Sequence, residues 1–277
     1  MNIRNYVIII AIVFSITSCK NHQKENNIKK KIESVSSDLQ IDHLNIWVKN
    51  PKKAKARLTD IGFSSVPDSL SPIHKGQGTT GRYFHFFNGY LELIFVYNQN
   101  ELEENNALNK DLDFIERANF ANNGASPFSI ALKVKEYNIE KIPFKKVKYY
   151  QDWMEENTAI YAAMSSKINL KEPSVFVMHP EMESGRFESL TELENFPPKD
   201  ASWKEYFKHP NGAEKITKAI ITSPDLDITT ETIEAVNNIK NLIVKNGKEH
   251  LMELHFDDDI QGKSFDLRPE LPLIIFL

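Results

Sequence analysis

The sequence predicts an α+β fold of repeated β-α-β-β modules. Three observations predict it: apolar residues alternate in short segments closed by Asn, Gly or Pro, an amphipathic helix follows the first segment, and the same element order recurs along the chain. The 277 residues are 41% hydrophobic, with 13 Pro and 10 Gly. That is enough apolar material for one large core or two modest ones, which excludes disorder as the general state.

The first element is a leader. Residues 1–6 carry Arg4, residues 7–16 are apolar apart from Ser15, and small polar residues then lead to Cys19. This order of positive, apolar and cleavable is that of a signal peptide. A ten-residue helix rises only about 15 Å, roughly half of the hydrocarbon core, too little to span it. Ile16-Thr17-Ser18-Cys19 resembles a bacterial lipoprotein lipobox. The resemblance implies cleavage after residue 18, acylation of Cys19, and a lipid-anchored location at the periplasmic face or cell surface. Residues 19–37, rich in Lys, Asn, Gln and Ser, read as a solvated tether.

The folded part begins at residue 38. Residues 41–48 alternate, with Leu44, Ile46 and Val48 on one face and His43, Asn45 and Trp47 on the other. Asn50 caps and Pro51 opens a helix with the stripe Ala54, Leu58 and Ile61, which Gly62 stops. Residues 82–87 and 90–97 form two strands joined around Asn88-Gly89, a strong hairpin signal. A helical connector is expected over residues 111–121. A second, stretched unit follows: a strand at 128–134, a short helix near 138–142, and strands at 159–164 and 174–178. A third runs from a strand at 216–222 through a helix at 230–244 to strands near 250–256, 264–267 and 273–276. The expected organisation is a two-module domain over 38–200 and a third β-α-β-type module or C-terminal subdomain over 201–277. Open strand edges allow pairing with a second copy.

Asp42-His43-Leu44 on the first strand, His74 before Gly78-Thr79, and Tyr90-Leu91-Glu92-Leu93-Ile94 on the fourth look like the first module of the vicinal oxygen chelate superfamily, in its glyoxalase-like group. Glu172-Pro173-Ser174-Val175-Phe176 and His209-Pro210-Asn211-Gly212-Ala213 look like later parts of the same pattern, so the match covers about 40–221. The resemblance implies paired modules around a U-shaped cleft that holds one divalent metal between inward His and Glu residues. On this basis the metal ligands are His43 and Glu92, with His74, His85 or His179 as a third, and Asn45, His74, Thr79, Arg82 and Tyr90 line the substrate cleft. Glu92 is also the candidate catalytic group.

The residues themselves agree for the first module. Leu91, Leu93 and Phe95 share one strand face, which leaves Tyr90, Glu92 and Ile94 beside His43 on the other. A carboxylate there is costly unless it meets water, a cation or a donor, and an imidazole-carboxylate pair suits Zn, Mn, Fe or Ni. The second module departs: Ser129, Ala131 and Lys133 stand where a His is expected, and residues 174–178 carry no carboxylate.

Other chemistry is excluded or weak. Lys and Arg total 34 against 38 Asp and Glu, a net charge of -4 with no footprint for nucleic acid. The single Cys excludes internal disulfides, cysteine-only metal knuckles and CxxC redox chemistry. No GxSxG elbow occurs, and His250 and His255 do not make an HExxH pair. The Gly-rich run 76–81 reads as a flexible turn, the acidic run after Glu253 and His255 as a solvated one, and Tyr149, Tyr150 and Trp153 as core packing. Two functions remain: metal-dependent lyase, isomerase or dioxygenase chemistry on a small substrate with vicinal oxygens, and a metal-free module on the same fold that binds a small molecule or partner.

Overall fold

A computed structural model describes residues 38–152 and 154–277 of the chain. The leader, Cys19, the tether and Trp153 lie outside the described residues. The chain opens with β1 (Leu39–Trp47), and Asn50 then caps α1 (Pro51–Asp60) by accepting from Lys53 N at 3.0 Å. β2 (Ile73–His74), β3 (Thr79–Phe86) and β4 (Gly89–Val96) follow, with the β3–β4 hairpin turning around Phe87 and Asn88. After α2 (Gln99–Leu108), α3 (Phe114–Ala118) and α4 (Phe120–Asn123) come β5 (Phe128–Val134), β6 (Lys146–Tyr149), β7 (Ile160–Ala163), α5 (Ser165–Ile168), β8 (Ser174–Val177) and α6 (Leu190–Asn195). The last part holds β9 (Ile216–Ser223), α7 (Glu231–Asn237), β10 (Leu242–Asn246), β11 (Leu251–Phe256), β12 (Ser264–Asp266) and β13 (Leu273–Phe276).

The fold is α+β, with curled mixed sheets that form a half-barrel. The eight-stranded sheet runs β2-β3-β4-β1-β5-β8-β7-β6. Its halves share one order: β1 is parallel to β4 and β5 to β8, while β1 and β5 meet antiparallel at the centre. One face is core. Leu44, Ile46, Leu91, Leu93, Ile130, Leu132, Val175 and Val177 join Ala54 and Leu58 of α1 in a cluster that continues into the second sheet through Ala219, Ile221, Met252 and Leu254. Because side chains alternate along a strand, the residues between these all face the other way, and a cavity lies there.

The second sheet runs β10-β9-β11-β13-β12 and corrects the third unit. The expected helix over 230–244 ends at Asn237, and Asn241 turns the chain with φ +67° into β10, parallel to β9. Val236, Ile239 and Ile243 suggest helical spacing, but Leu242 and Val244 are buried while Ile243 faces out, the period of a strand. The connector is also different. The helices at 114–118 and 120–123 are short, and the polar α2 precedes them, its Asn98 cap accepting from Asn100 N and Glu101 N. In the second half, the expected helix is a single 3-10 turn at Ile139–Lys141, and the unexpected β6 forms an edge.

Phe86 joins the two sheets, its ring 5.7 Å from Phe63, 4.7 Å from Phe256 and 4.8 Å from the His209 ring. Truncating such a buried ring costs about 3–5 kcal/mol. Phe86→Ala is therefore expected to lower the denaturant midpoint in one shared transition of both sheets. Two separated transitions would show that the sheets do not share a core.

Candidate functional site

The cavity measures about 630 Å³ and takes its lining from both halves of the eight-stranded sheet. β1 supplies His43, Asn45 and Trp47, β4 supplies Tyr90, Glu92 and Ile94, and β3 supplies Tyr83. The second half supplies Ser129, Tyr149, Ile160, Ala162, Ser174 and Phe176, with Met178 and Met182 beyond β8. Most of this wall is apolar or aromatic, with a few inward polar groups, the usual make-up of a small-molecule site.

His43 is set by a register shift between β1 and β5 at Ile41/His43. A bulge of this kind lets neighbouring residues depart from strict alternation, and Asp42 is buried beside His43. Asp42 Oδ1 lies 2.7 Å from His43 Nδ1, and Oδ2 accepts from Ser184 N at 3.0 Å and Ser184 Oγ at 3.1 Å. The Arg186 guanidinium donates to the carbonyl of Ile41 and braces the same corner. The His43 ring stacks on Tyr90 at 4.1 Å. Burial pushes its pKa down, against the opposing pull of Asp42, so the imidazole is neutral near pH 7.

Glu92 is 4% exposed. Burial lifts its pKa from 4.5 to about 7, although a hydrogen bond from Tyr83 Oη to Oε1 at 3.0 Å pulls the other way. Gly81 makes room for this carboxyl, since a Cβ there would stand 2.3 Å from Glu92 Oε1.

A hydrogen-bond chain crosses the cavity wall and ends on Glu92. Tyr149 Oη donates to Gln77 Oε1 at 3.1 Å, Gln77 Nε2 donates to Thr79 Oγ1 at 2.7 Å, and Thr79 Oγ1 lies 2.9 Å from His74 Nδ1. His74 Nε2 is 3.1 Å from Tyr83 Oη. Tyr83 has one proton, and donating it to Glu92 makes its oxygen the acceptor from His74 Nε2–H, so Thr79 donates to Nδ1. That tautomer is neutral, which agrees with burial lowering the His74 pKa to about 4.

The structure brings His43, Asn45, His74, Tyr90 and Glu92 to one cavity. It removes others. Arg82 is on the opposite face of β3, 3.0 Å from Asp68 and over the Phe95 ring, because strand alternation turns its neighbour Tyr83 inward. Thr79 does not line the cavity and instead supports His74. His74 sits on β2, not in a loop. His85 stacks against Phe207 at 5.1 Å and is not part of the lining. His179 accepts from Glu181 N at 3.3 Å and meets the Tyr137 ring at 4.9 Å, away from the cavity. Tyr83, Gln77 and Phe176 are lining residues that sequence reading does not select, and Tyr149, weighed there as core packing against a ligand surface, lines the cavity. Only Tyr83 carries a usable signal, since it shares strand parity with Gly81 beside the predicted Glu92.

A metal centre here would draw on His43 and Glu92. Among the described residues no three His, Cys, Asp or Glu side chains are grouped to hold an ion. Both His74 nitrogens face hydrogen-bond partners, and the positions paired on β5 and β8 like Asn45 and Glu92 are Ser129 and Ser174. Arg117, which lines the cavity, is committed to Asp113 Oδ2 at 2.8 Å and to the carbonyls of Ser126, Ser166 and Leu170.

No protein-family model matches the chain, and no curated protein matches it. Among solved structures, a hypothetical protein from Staphylococcus aureus is similar over 86% of this chain and 98% of its own, at 13% identity and a TM-score of 0.47.

Glu92 binds its proton more tightly in the folded chain than in the unfolded one, so its contribution to stability falls as pH rises from 4.5 to about 7 and is level above. His74, His85 and His209, lowered to about 4 by burial, act in the opposite sense between about 4 and 6.5. The Glu92 share is therefore read as a difference. Glu92→Gln is expected to gain on the order of 3 kcal/mol relative to the wild type across that interval. Parallel stability curves for the two proteins would refute the shifted carboxyl.

Proposed function

We propose that this chain is a lipid-anchored protein of the bacterial cell envelope whose glyoxalase-like domain binds a small molecule, without a metal held by the protein. The observation that carries the reading is the cavity of about 630 Å³, walled by aromatic and aliphatic side chains and entered by a few oriented polar groups. The shared strand order of the two sheet halves, each with its first strand parallel to its fourth, supports the glyoxalase-like assignment. The anchor rests on the lipobox-like Ile16-Thr17-Ser18-Cys19.

The metal-dependent reading keeps one observation in its favour. Asp42 fixes the Nδ1 edge of His43 and leaves the Nε2 edge for the cavity, which is how metal-bound histidines are oriented. Elemental analysis of the full chain purified without chelator separates the two. The expected result is less than a tenth of a transition metal per chain, about the level of adventitious ions, and no thermal stabilisation by added Zn, Mn, Fe or Ni. About one ion per chain, lost in a His43→Ala and Glu92→Ala double variant, would instead favour the metal-dependent reading and direct assays to lyase, isomerase and dioxygenase chemistry.

For the anchor, Cys19→Ala is expected to abolish incorporation of labelled palmitate and to move the protein out of the membrane fraction. Labelling that survives the substitution would overturn it.

A further inference from the structure

Asn45 lies at the middle of β1, opposite Glu92 on β4 and Ser129 on β5. It is 4% exposed and lines the cavity, and its Oδ1 is buried without a hydrogen-bond partner among the described residues. A carboxamide oxygen withdrawn from water and left unpaired is costly, and natural folds leave few such groups without a reason. Trp47, two residues on and lining the same cavity, shows that an apolar side chain is accepted on this face of β1. The polar group at position 45 therefore calls for a donor that enters the cavity.

The chemistry of that donor is constrained. A carboxamide presents an acceptor and an N–H donor side by side in one plane, the geometry by which Asn pairs with the edge of a planar base. Its natural complement is a group with N–H beside C=O on the same edge, the cis-amide of a cyclic amide, imide or urea. The walls suit a flat ring: Trp47, Tyr90, Phe114 and Phe176 all face the space. Of the two cationic side chains in the lining, the Arg117 guanidinium is paired with Asp113 and Lys75 is exposed to solvent, so an anionic ligand gains little. The carboxyl that a cationic ligand would meet, Glu92, already accepts from Tyr83.

We propose that the cavity recognises a neutral, planar ring bearing a cis-amide edge, and that Asn45 is the residue that reads this edge. The proposal rests on the small-molecule reading above and names the chemical class of its ligand.

Three flat bicyclic probes of nearly equal size test it. 2-Quinolone carries the N–H and C=O edge, N-methyl-2-quinolone lacks the donor, and quinoline lacks the carbonyl. Affinities are measured by ligand-observed NMR on the full chain in lipid nanodiscs, with protein-free nanodiscs as the blank for partitioning. 2-Quinolone is expected to bind about tenfold or more tightly than its N-methyl form, the value of one buried hydrogen bond left unmade. In Asn45→Leu the two are expected to bind alike, while quinoline keeps its wild-type affinity and so reports an intact cavity. Asn45→Ala carries the same comparison if the leucine variant does not fold. Equal binding of the three probes to the wild type would overturn the amide-edge proposal and leave the cavity as an apolar ligand site. A preference that survives at Asn45→Leu would overturn the role of Asn45. Absence of binding by all three would overturn the small-molecule reading together with the proposal.

Discussion

The burial of one carboxyl governs the arrangement around it. Glu92 sits mid-strand with Leu91 and Leu93, each in the core, on either side, so its own side chain must point into the cavity. A carboxylate there would be unpaired in a poorly solvated space, and the protein answers by holding it near neutrality and supplying one donor, Tyr83. The Tyr83 oxygen meets His74 on its other side, and His74 in turn is fixed by Thr79, Gln77 and Tyr149. The donor of a single hydrogen bond thus ties β2, β3 and β4 to β6 at the far edge of the same sheet. Protonating His74 would turn Thr79 from donor to acceptor on that side and send the hydroxyl proton elsewhere.

The two halves of the sheet share an order but not a chemistry. Pairing positions across β1 and β4 hold Asn45 with Glu92, whereas β5 and β8 hold Ser129 with Ser174. Two residues further along each strand, Trp47 and Ile94 of the first half correspond to Ala131 and Phe176 of the second. The cavity therefore has a polar wall and an apolar wall. A ligand that lies between them can use directional bonds only on the first side and surface burial on the other. The second half supplies hydroxyls where the first supplies a carboxamide and a carboxyl.

Much of this is legible in the sequence, because strand parity is a strong signal. Leu44, Ile46 and Val48 against His43, Asn45 and Trp47 place one set in the core and the other in the cavity, and the same logic orients Glu92. Asn50-Pro51 and Asn88-Gly89 locate α1 and the hairpin through cap and turn chemistry. Where local signals compete, the reading fails. Ile239 and Ile243 continue the stripe of α7, yet the turn at Asn241 converts the register from helical to alternating. Arg82 looks like a cleft residue from its motif, while parity assigns it to the outside with Asp68. The contact of Tyr149 with Gln77 joins residues far apart in the chain, and no pattern within either segment encodes it.

The division of each strand into a core face and a cavity face has a functional consequence. The same backbone hydrogen bonds that set the register of Leu93 also set that of Glu92 and, through β1, of Asn45. Side chains of the cavity face are then positioned by packing on the opposite face, with the second sheet as the surface they press against. Rigid strands hold a recognition group more tightly than loops do. The residues best placed to read a ligand, Asn45 and Glu92, stand side by side on the two central strands of the first half, where neither can move without disturbing the core. Selectivity in such a site depends on the pattern of donors and acceptors that the strands hold in place, and the walls contribute area that any flat, apolar molecule can use.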